Sequence, residues 1–210
     1  VGAFKNPELV LADPLVLTTL EDDDLRSGLA ETIKHGIIGD PLLFDTLQNA
    51  PLAKSDWSSD RALEIILRAL RVKIAIVEED PWEQGRRAVL NLGHTLAHAL
   101  ETMSHYQLRH GEAVAIGLAY SVRLAANAGL APHALIEIID RVLESVGLPI
   151  MLPPHDVDVL MATMRSDKKI AEGDIRWVLP RTIGDVTTDH RLAAPVIRQG
   201  LLSMGPRRSR

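Results

Sequence analysis

The chain has no cysteine in its 210 residues. Disulfides are therefore excluded, and any metal ion must be held by histidine, aspartate or glutamate. Aromatic residues are also scarce, at 3%. The core must then come from Leu, Ile, Val and Ala, which favours closely packed helices over a sheet sandwich. There is no excess of positive charge: the net charge is −5 and the pI about 5.9. A broad nucleic-acid surface would need a basic face, so that partner is not expected. No apolar run reaches the roughly eighteen residues of a membrane span, and no signal peptide is visible. These absences are compatible with the cytoplasm. What remains is an ordinary globular balance, 46% hydrophobic and 24% charged, with enough length for one large domain or two small ones.

The most informative stretch runs from Glu83 to Glu101, E-Q-G-R-R-A-V-L-N-L-G-H-T-L-A-H-A-L-E. Laid out as one helix at about 100° per residue, Glu83, Arg87, Asn91, His94, His98 and Glu101 share an arc of roughly 80°. The remainder of the wheel is apolar or small. A surface helix shows the opposite proportions. The pattern predicts a buried helix whose narrow polar stripe faces a metal, a ligand or a wet cavity, because buried charges are costly unless paired or ligated. The competing reading is a half-exposed helix with a solvated stripe.

The remaining segments read mainly as helices. Glu8 to Asp13 reads as a short strand with no partner nearby, which suggests missing upstream sequence or an extended N-terminal arm. Helices are expected over 21–38, where Gly28 would permit close packing, and over 41–48. A polar linker over 51–59 leads to a helix over 61–79, with Leu63, Ile66, Leu67, Leu70, Ile74 and Val77 on its apolar side. His110-Gly111-Glu112 opens a nearly all-apolar helix through Asn127, expected at the domain centre and stopped by Gly129. Helices are expected over 132–145, 157–165 and 193–204. Ile175 to Leu179 alternates as a strand, with Ile170 beginning its hairpin partner and 182–186 forming a further turn. Gly205 to Arg210 reads as a frayed tail.

Glu31, His94 and His110 could converge on a metal. Two histidines and a carboxylate with an open position are the usual make-up of a reactive zinc site. His94 and His98, four apart, could instead bind metal as in H-E-x-x-H helices, but no Glu follows the first His. Lys34, Lys73, Arg87 and Lys168 lie on expected polar faces and would suit a substrate carrying carboxylate and phosphate. Each could equally be a separate surface charge.

Four motifs occur in order: G-L-A-E-T-I-K-H-G at 28–36, R-A-V-L-N-L-G-H-T-L-A-H-A-L-E at 87–101, H-G-E-A-V-A-I-G at 110–117, and D-K-K at 167–169 followed by a strand ending in L-P-x-x-I-G. Together they resemble the 3-dehydroquinate synthase family. The resemblance implies a mainly α, multi-helix C-terminal domain of the dehydroquinate synthase-like (glycerol dehydrogenase-like) fold, with a small β-hairpin near the C-terminus. Residues 1–20 would be a linker and strand from an N-terminal NAD-binding domain outside this chain. Residues 21–204 would form the metal- and substrate-binding domain, and 205–210 a disordered tail.

By the same resemblance, Glu31, His94 and His110 are the ligands of zinc (or cobalt). Lys34, Lys73, Arg87, Asn91 and Lys168 hold the substrate. Glu83 and His98 handle protons, and Val16, Leu17, Thr18 and Thr19 touch NAD. The implied reaction converts 3-deoxy-D-arabino-heptulosonate 7-phosphate to 3-dehydroquinate and phosphate, on the shikimate route to aromatic amino acids. The enzyme would be an NAD- and metal-dependent lyase, a homodimer of the cytoplasm, with this fragment inactive by itself. Ala97 stands where the family usually has Gly, and His35 where Tyr is common. The alternatives are a related sugar-phosphate cyclase, a metal-dependent polyol dehydrogenase, and a non-catalytic helical remnant serving as a binding module.

Overall fold

The fold is wrapped on α5, His110–Asn127, whose side chains are buried over most of its length. The computed structural model describes residues 5, 7–52, 54–167 and 175–205. Among these there are eight α-helices and one two-stranded sheet, which packs on α1 and α5. α5 packs against α1 (Asp22–Gly39), α4 (His94–Met103), α6 (Ala134–Ser145), α8 (Ala194–Ser203) and strand β1 (Trp177–Thr182). Because its side chains are mostly Ala, Gly, Val and Leu, neighbours can approach it closely. Tyr120 is the exception. Its hydroxyl donates to the Ile197 carbonyl at 2.8 Å, and its ring meets Trp177 edge-on at 5.7 Å.

α1 buries Leu25, Leu29, Ile33 and Ile37, the spacing the sequence predicts, and carries Asp22, Asp23 and Asp24 in its first turn. Asp40 then breaks the chain. Its carboxylate accepts the Leu43 N–H at 3.0 Å to cap α2 (Pro41–Asn49), and pairs with Arg68 of α3 (Asp60–Glu79) at 2.6 Å. α7 spans Val157–Asp167. Arg123 of α5 grips Asp140 of α6 through two nitrogens, at 2.8 and 2.5 Å. No helix among the described residues is long and apolar enough to cross a membrane.

Several expectations are corrected. Residues 8–13 form no strand; they are exposed and run into a 3₁₀ turn at Pro14–Thr19. The 51–59 segment is not simply a polar linker, since Leu52 and Trp57 are buried. α3 faces inward through Ala62, Ile65, Ala69 and Ile76, whereas Leu63, Leu67 and Ile74 are exposed. Periodicity fixed the stripe but not its direction, because α3 carries two apolar rows and the smaller one fits the crowded interface. Gly28 is not a packing glycine; a Cβ there would meet nothing within 4 Å.

The hairpin partner lies C-terminal to the strand. β1 pairs antiparallel with β2 (Asp185–His190) across a tight turn. Gly184 turns there at φ +85° and donates its N–H to the Ile37 carbonyl at 2.9 Å. Ile170 falls outside the described residues, as do Lys168 and residues 206–210.

Candidate metal centre

The 83–101 stretch is not one helix. Asp80, at the end of α3, accepts the backbone N–H groups of Gln84, Gly85 and Arg87 at 2.9, 2.8 and 3.0 Å. Those bonds, Gln84 first, hold its carboxyl below the usual range and curl the chain into a 3₁₀ helix at Arg86–Asn91. Gly93 then adopts φ +80°, and α4 begins at His94. The left-handed turn ends the first helical piece, so no single wheel applies. The residues still converge, because the break redirects α4 rather than turning it away.

Two glycine crossings set the geometry. A Cβ at Gly117 would lie 2.0 Å from the Gly93 carbonyl oxygen, so α5 and the start of α4 touch backbone to backbone. A Cβ at Gly111 would lie 2.0 Å from the Ser27 carbonyl, and the Gly111 N–H donates to Ser27 Oγ at 2.9 Å. The first contact fixes His94 beside α5. The second brings His110, the first residue of α5, to Glu31, one turn beyond Ser27 on α1.

The result is a cluster of three side chains that could hold one metal ion. One ligand atom from each of Glu31, His94 and His110 lies within 4.8 Å of the others, and no other such group of His, Asp and Glu occurs among the described residues. Glu31 Oε1 is 3.3 Å from His94 Nε2 and 3.2 Å from His110 Nε2. Ligands about 2.05 Å from a tetrahedral ion are separated by about 3.3 Å, so both spacings suit one zinc-sized cation.

The outer atoms define the protonation. His94 Nδ1 faces the Leu92 carbonyl at 3.1 Å, and His110 Nδ1 faces Glu101 Oε1 at 3.0 Å. Both partners accept only, which suits a proton on each Nδ1 and turns each Nε2 toward Glu31. In that tautomer three lone pairs would converge on one divalent metal. The donor set fits zinc or cobalt.

Glu31 and Lys34 form a part-buried pair, Oε2 to Nζ at 2.7 Å, and Lys34 also donates to the Leu90 carbonyl at 2.7 Å. Burial would raise the Glu31 pKa, but the His94 hydrogen bond and the Lys34 charge hold it far below the usual range. Burial lowers the Lys34 pKa against the opposing pull of Glu31. Behind them His35, also buried, is pushed down to about 4, by burial first and then by Lys34.

These groups line a cleft of about 470 Å³, together with Lys73, Glu83, Arg87, Leu90 and Asn91. Asn91 donates its amide N–H to Glu83 Oε1 at 2.9 Å, and Arg87 donates to the Pro81 carbonyl at 2.7 Å. Glu83 sits at φ 55°, a left-handed conformation that costs a residue with a side chain about 1 kcal/mol or more.

Of the residues expected at the site, Glu31, Lys34, Lys73, Glu83, Arg87, Asn91, His94 and His110 share this cleft. His98 is outside its lining but stacks edge-on against His94 at 5.4 Å, one helical turn along α4. It is not part of the ligand cluster. Val16 to Thr19 lie in the 3₁₀ turn packed against α3, with none lining the cleft, and the Thr18 and Thr19 hydroxyls donate to nearby carbonyls. Two residues escaped the sequence reading. His35 appeared only as a departure from a pattern, and Glu101 shared the polar arc without an assigned role.

The sequence profile described as "3-dehydroquinate synthase C-terminal" matches residues 28–170. The chain belongs to this family. A 3-dehydroquinate synthase of Picosynechococcus sp. is 40% identical over 201 residues, covering 94% of this chain and 55% of the relative. One from Synechocystis sp. is 40% identical over 205 residues, covering 96% and 57%. The chain thus spans about half the length of the curated relatives it matches. Among solved structures, the 2-epi-5-epi-valiolone synthase ValA of Streptomyces hygroscopicus, with NAD+ and Zn2+ bound, superposes with a TM-score of 0.82 at 30% identity, covering 91% of this chain and 54% of that one. A 2-deoxy-scyllo-inosose synthase complexed with carbaglucose-6-phosphate, NAD+ and Co2+ shares the fold, with a TM-score of 0.80 at 22% identity over 97% of this chain and 59% of that one.

Proposed function

We propose that this chain is the metal- and substrate-binding half of a 3-dehydroquinate synthase, a lyase converting 3-deoxy-D-arabino-heptulosonate 7-phosphate to 3-dehydroquinate and phosphate. The observation that carries this reading is the Glu31–His94–His110 cluster, set in a cleft that also holds Lys34, Lys73 and Arg87. Glu31, His94 and His110 would hold zinc or cobalt, which would supply Lewis-acid polarisation of the substrate hydroxyl that is oxidised. Lys73 and Arg87 bind the phosphate and carboxylate, joined by Lys168. Lys34 adds positive charge from below while orienting Glu31.

Asn91 gives one N–H to Glu83, which leaves its amide carbonyl to orient a substrate hydroxyl. Glu83, through its carboxylate, and His98, through an imidazole nitrogen, pass protons during oxidation and ring closure. Nicotinamide chemistry falls to an NAD-binding domain outside this chain, which Val16–Thr19 touch from this side.

On this reading residues 1–20 connect to that domain, 21–204 form the catalytic lobe and 205–210 are a tail. The protein works in the cytoplasm as a homodimer with no nucleic-acid or membrane partner. The net charge of −5 supports the absence of nucleic acid.

The first test is elemental analysis of the purified chain and of a Glu31→Gln variant. About one zinc or cobalt per wild-type chain, lost in the variant, is expected. Absence of metal in both would favour a non-catalytic binding module. The second test mixes chain, metal, NAD and a panel of sugar phosphates and measures phosphate release. The chain alone is expected to release little or none. Activity restored by a nucleotide-binding half, with the heptulosonate phosphate preferred, supports the assignment. Preference for another sugar phosphate would favour a related cyclase, a second reading supported by the 30% identity to the valiolone synthase.

A further inference from the structure

Each ligand of the cluster is braced by an outer contact. His94 is braced by the Leu92 main-chain carbonyl, and Glu31 by the buried Lys34. The third ligand, His110, needs a brace most. It is the first residue of its helix, and its side chain is 48% exposed against 13% for His94. An exposed imidazole at a helix start has several rotamers and two tautomers open to it, and ordering it at a metal costs entropy.

Glu101 supplies the brace. It lies on α4 seven residues after His94, its side chain is 14% exposed, and its Oε1 accepts from His110 Nδ1 at 3.0 Å. We infer that Glu101 is a positioning residue of the metal centre: it holds the His110 ring across the α4–α5 interface and leaves Nε2 bare toward Glu31. α4 thereby contributes one ligand directly and orients a second carried by another helix. A carboxylate behind a ligating imidazole also makes that nitrogen a better donor, and loss of such a partner typically weakens metal binding 10–100-fold.

The inference rests on the metal assignment to Glu31, His94 and His110, and the test separates the two. Zinc is titrated into the metal-free chain against a chromophoric chelator, and the visible bands of the cobalt-loaded chain are recorded. Four variants are compared with wild type: Glu101→Ala, Glu101→Leu, Glu101→Gln and His110→Ala. Leu fills the space of Glu without an acceptor and guards against a collapse of packing in the Ala variant. Gln restores an accepting oxygen.

The expected result is a loss of zinc affinity of about 10–100-fold in the Ala and Leu variants, with altered cobalt bands and an unchanged far-ultraviolet circular dichroism spectrum. Gln should recover most of the affinity. Ala and Leu variants binding within twofold of wild type, or Gln losing as much as Leu, would overturn the role of Glu101. If wild type binds zinc no better than His110→Ala, the metal assignment itself falls.

Discussion

At the scale of single residues, the site's buried charges make stability and metal binding separable. Lys34 is 4% exposed and has Glu31 as its charge partner. Glu31→Gln should therefore abolish tight zinc binding and also cost about 1–3 kcal/mol, the price of a poorly satisfied buried cation. Adding Lys34→Met should restore most of the stability and none of the metal affinity, a cycle read by urea titration with and without zinc. Two additive losses of stability would mean that the pair is not coupled.

His35 gives the metal-free chain a pH dependence of known sign. Its pKa falls from 6.5 in the unfolded chain to about 4 in the folded one. As pH drops through that window the unfolded state takes up the proton first, so stability declines, by on the order of 3 kcal/mol at most. Glu31, held low, adds a loss in the same direction, but only below about 4.5. Urea midpoints measured between pH 7 and 5 should slope downward in wild type and flatten in His35→Gln. An unchanged slope would place the proton uptake elsewhere.

At the scale of elements, α1, α5 and α6 were legible because each repeats its apolar residues at helical spacing over three or more turns. The candidate ligands were legible through the motifs that contain them, not through the helical wheel. The wheel assumed continuous helix from Glu83 to Glu101, and periodicity carries no mark of a left-handed residue at Gly93 or of a carboxylate cap from Asp80. The hairpin partner was sought before β1 because the alternation of β1 does not name its neighbour; the turn expected at 182–186 is the one that joins β1 to β2, at Ile183-Gly184. Glycines were equally opaque. Gly28 lies mid-helix in open space, whereas Gly111 and Gly117 each permit a backbone crossing that a Cβ would block at 2.0 Å. Gly28→Ala should stabilise the chain by about 0.5–1 kcal/mol. Gly117→Ala should destabilise it by about 3 kcal/mol. Gly111→Ala should push His110 away from Glu31 and weaken zinc binding more than its effect on the thermal midpoint would suggest. Equal tolerance at all three positions would refute the crossing geometry.

At the scale of the whole molecule, the chain buries a continuous core yet leaves an apolar row on α3 in solvent. Leu67 is 42% exposed and Ile74 50%, while Ile65 on the opposite side is 1% exposed. Amphipathic patterning ordinarily turns the larger residues inward. Here the inward row is Ala62, Ile65, Ala69 and Ile76, whose two alanines let α3 pack closely where Asp40 ties it to the α1–α2 break. The orientation of α3 also places Lys73 on the metal cleft, so packing and site formation depend on the same rotation. That rotation can be tested without reference to activity. Ile65→Ala should cost about 2–5 kcal/mol, as for a large core residue. Leu67→Lys and Ile74→Lys should each stay within about 0.5 kcal/mol of wild type, as for surface positions. Denaturant titrations of the three variants decide the matter, because a helix rotated to bury the leucine row would reverse the ranking and carry Lys73 away from the cleft.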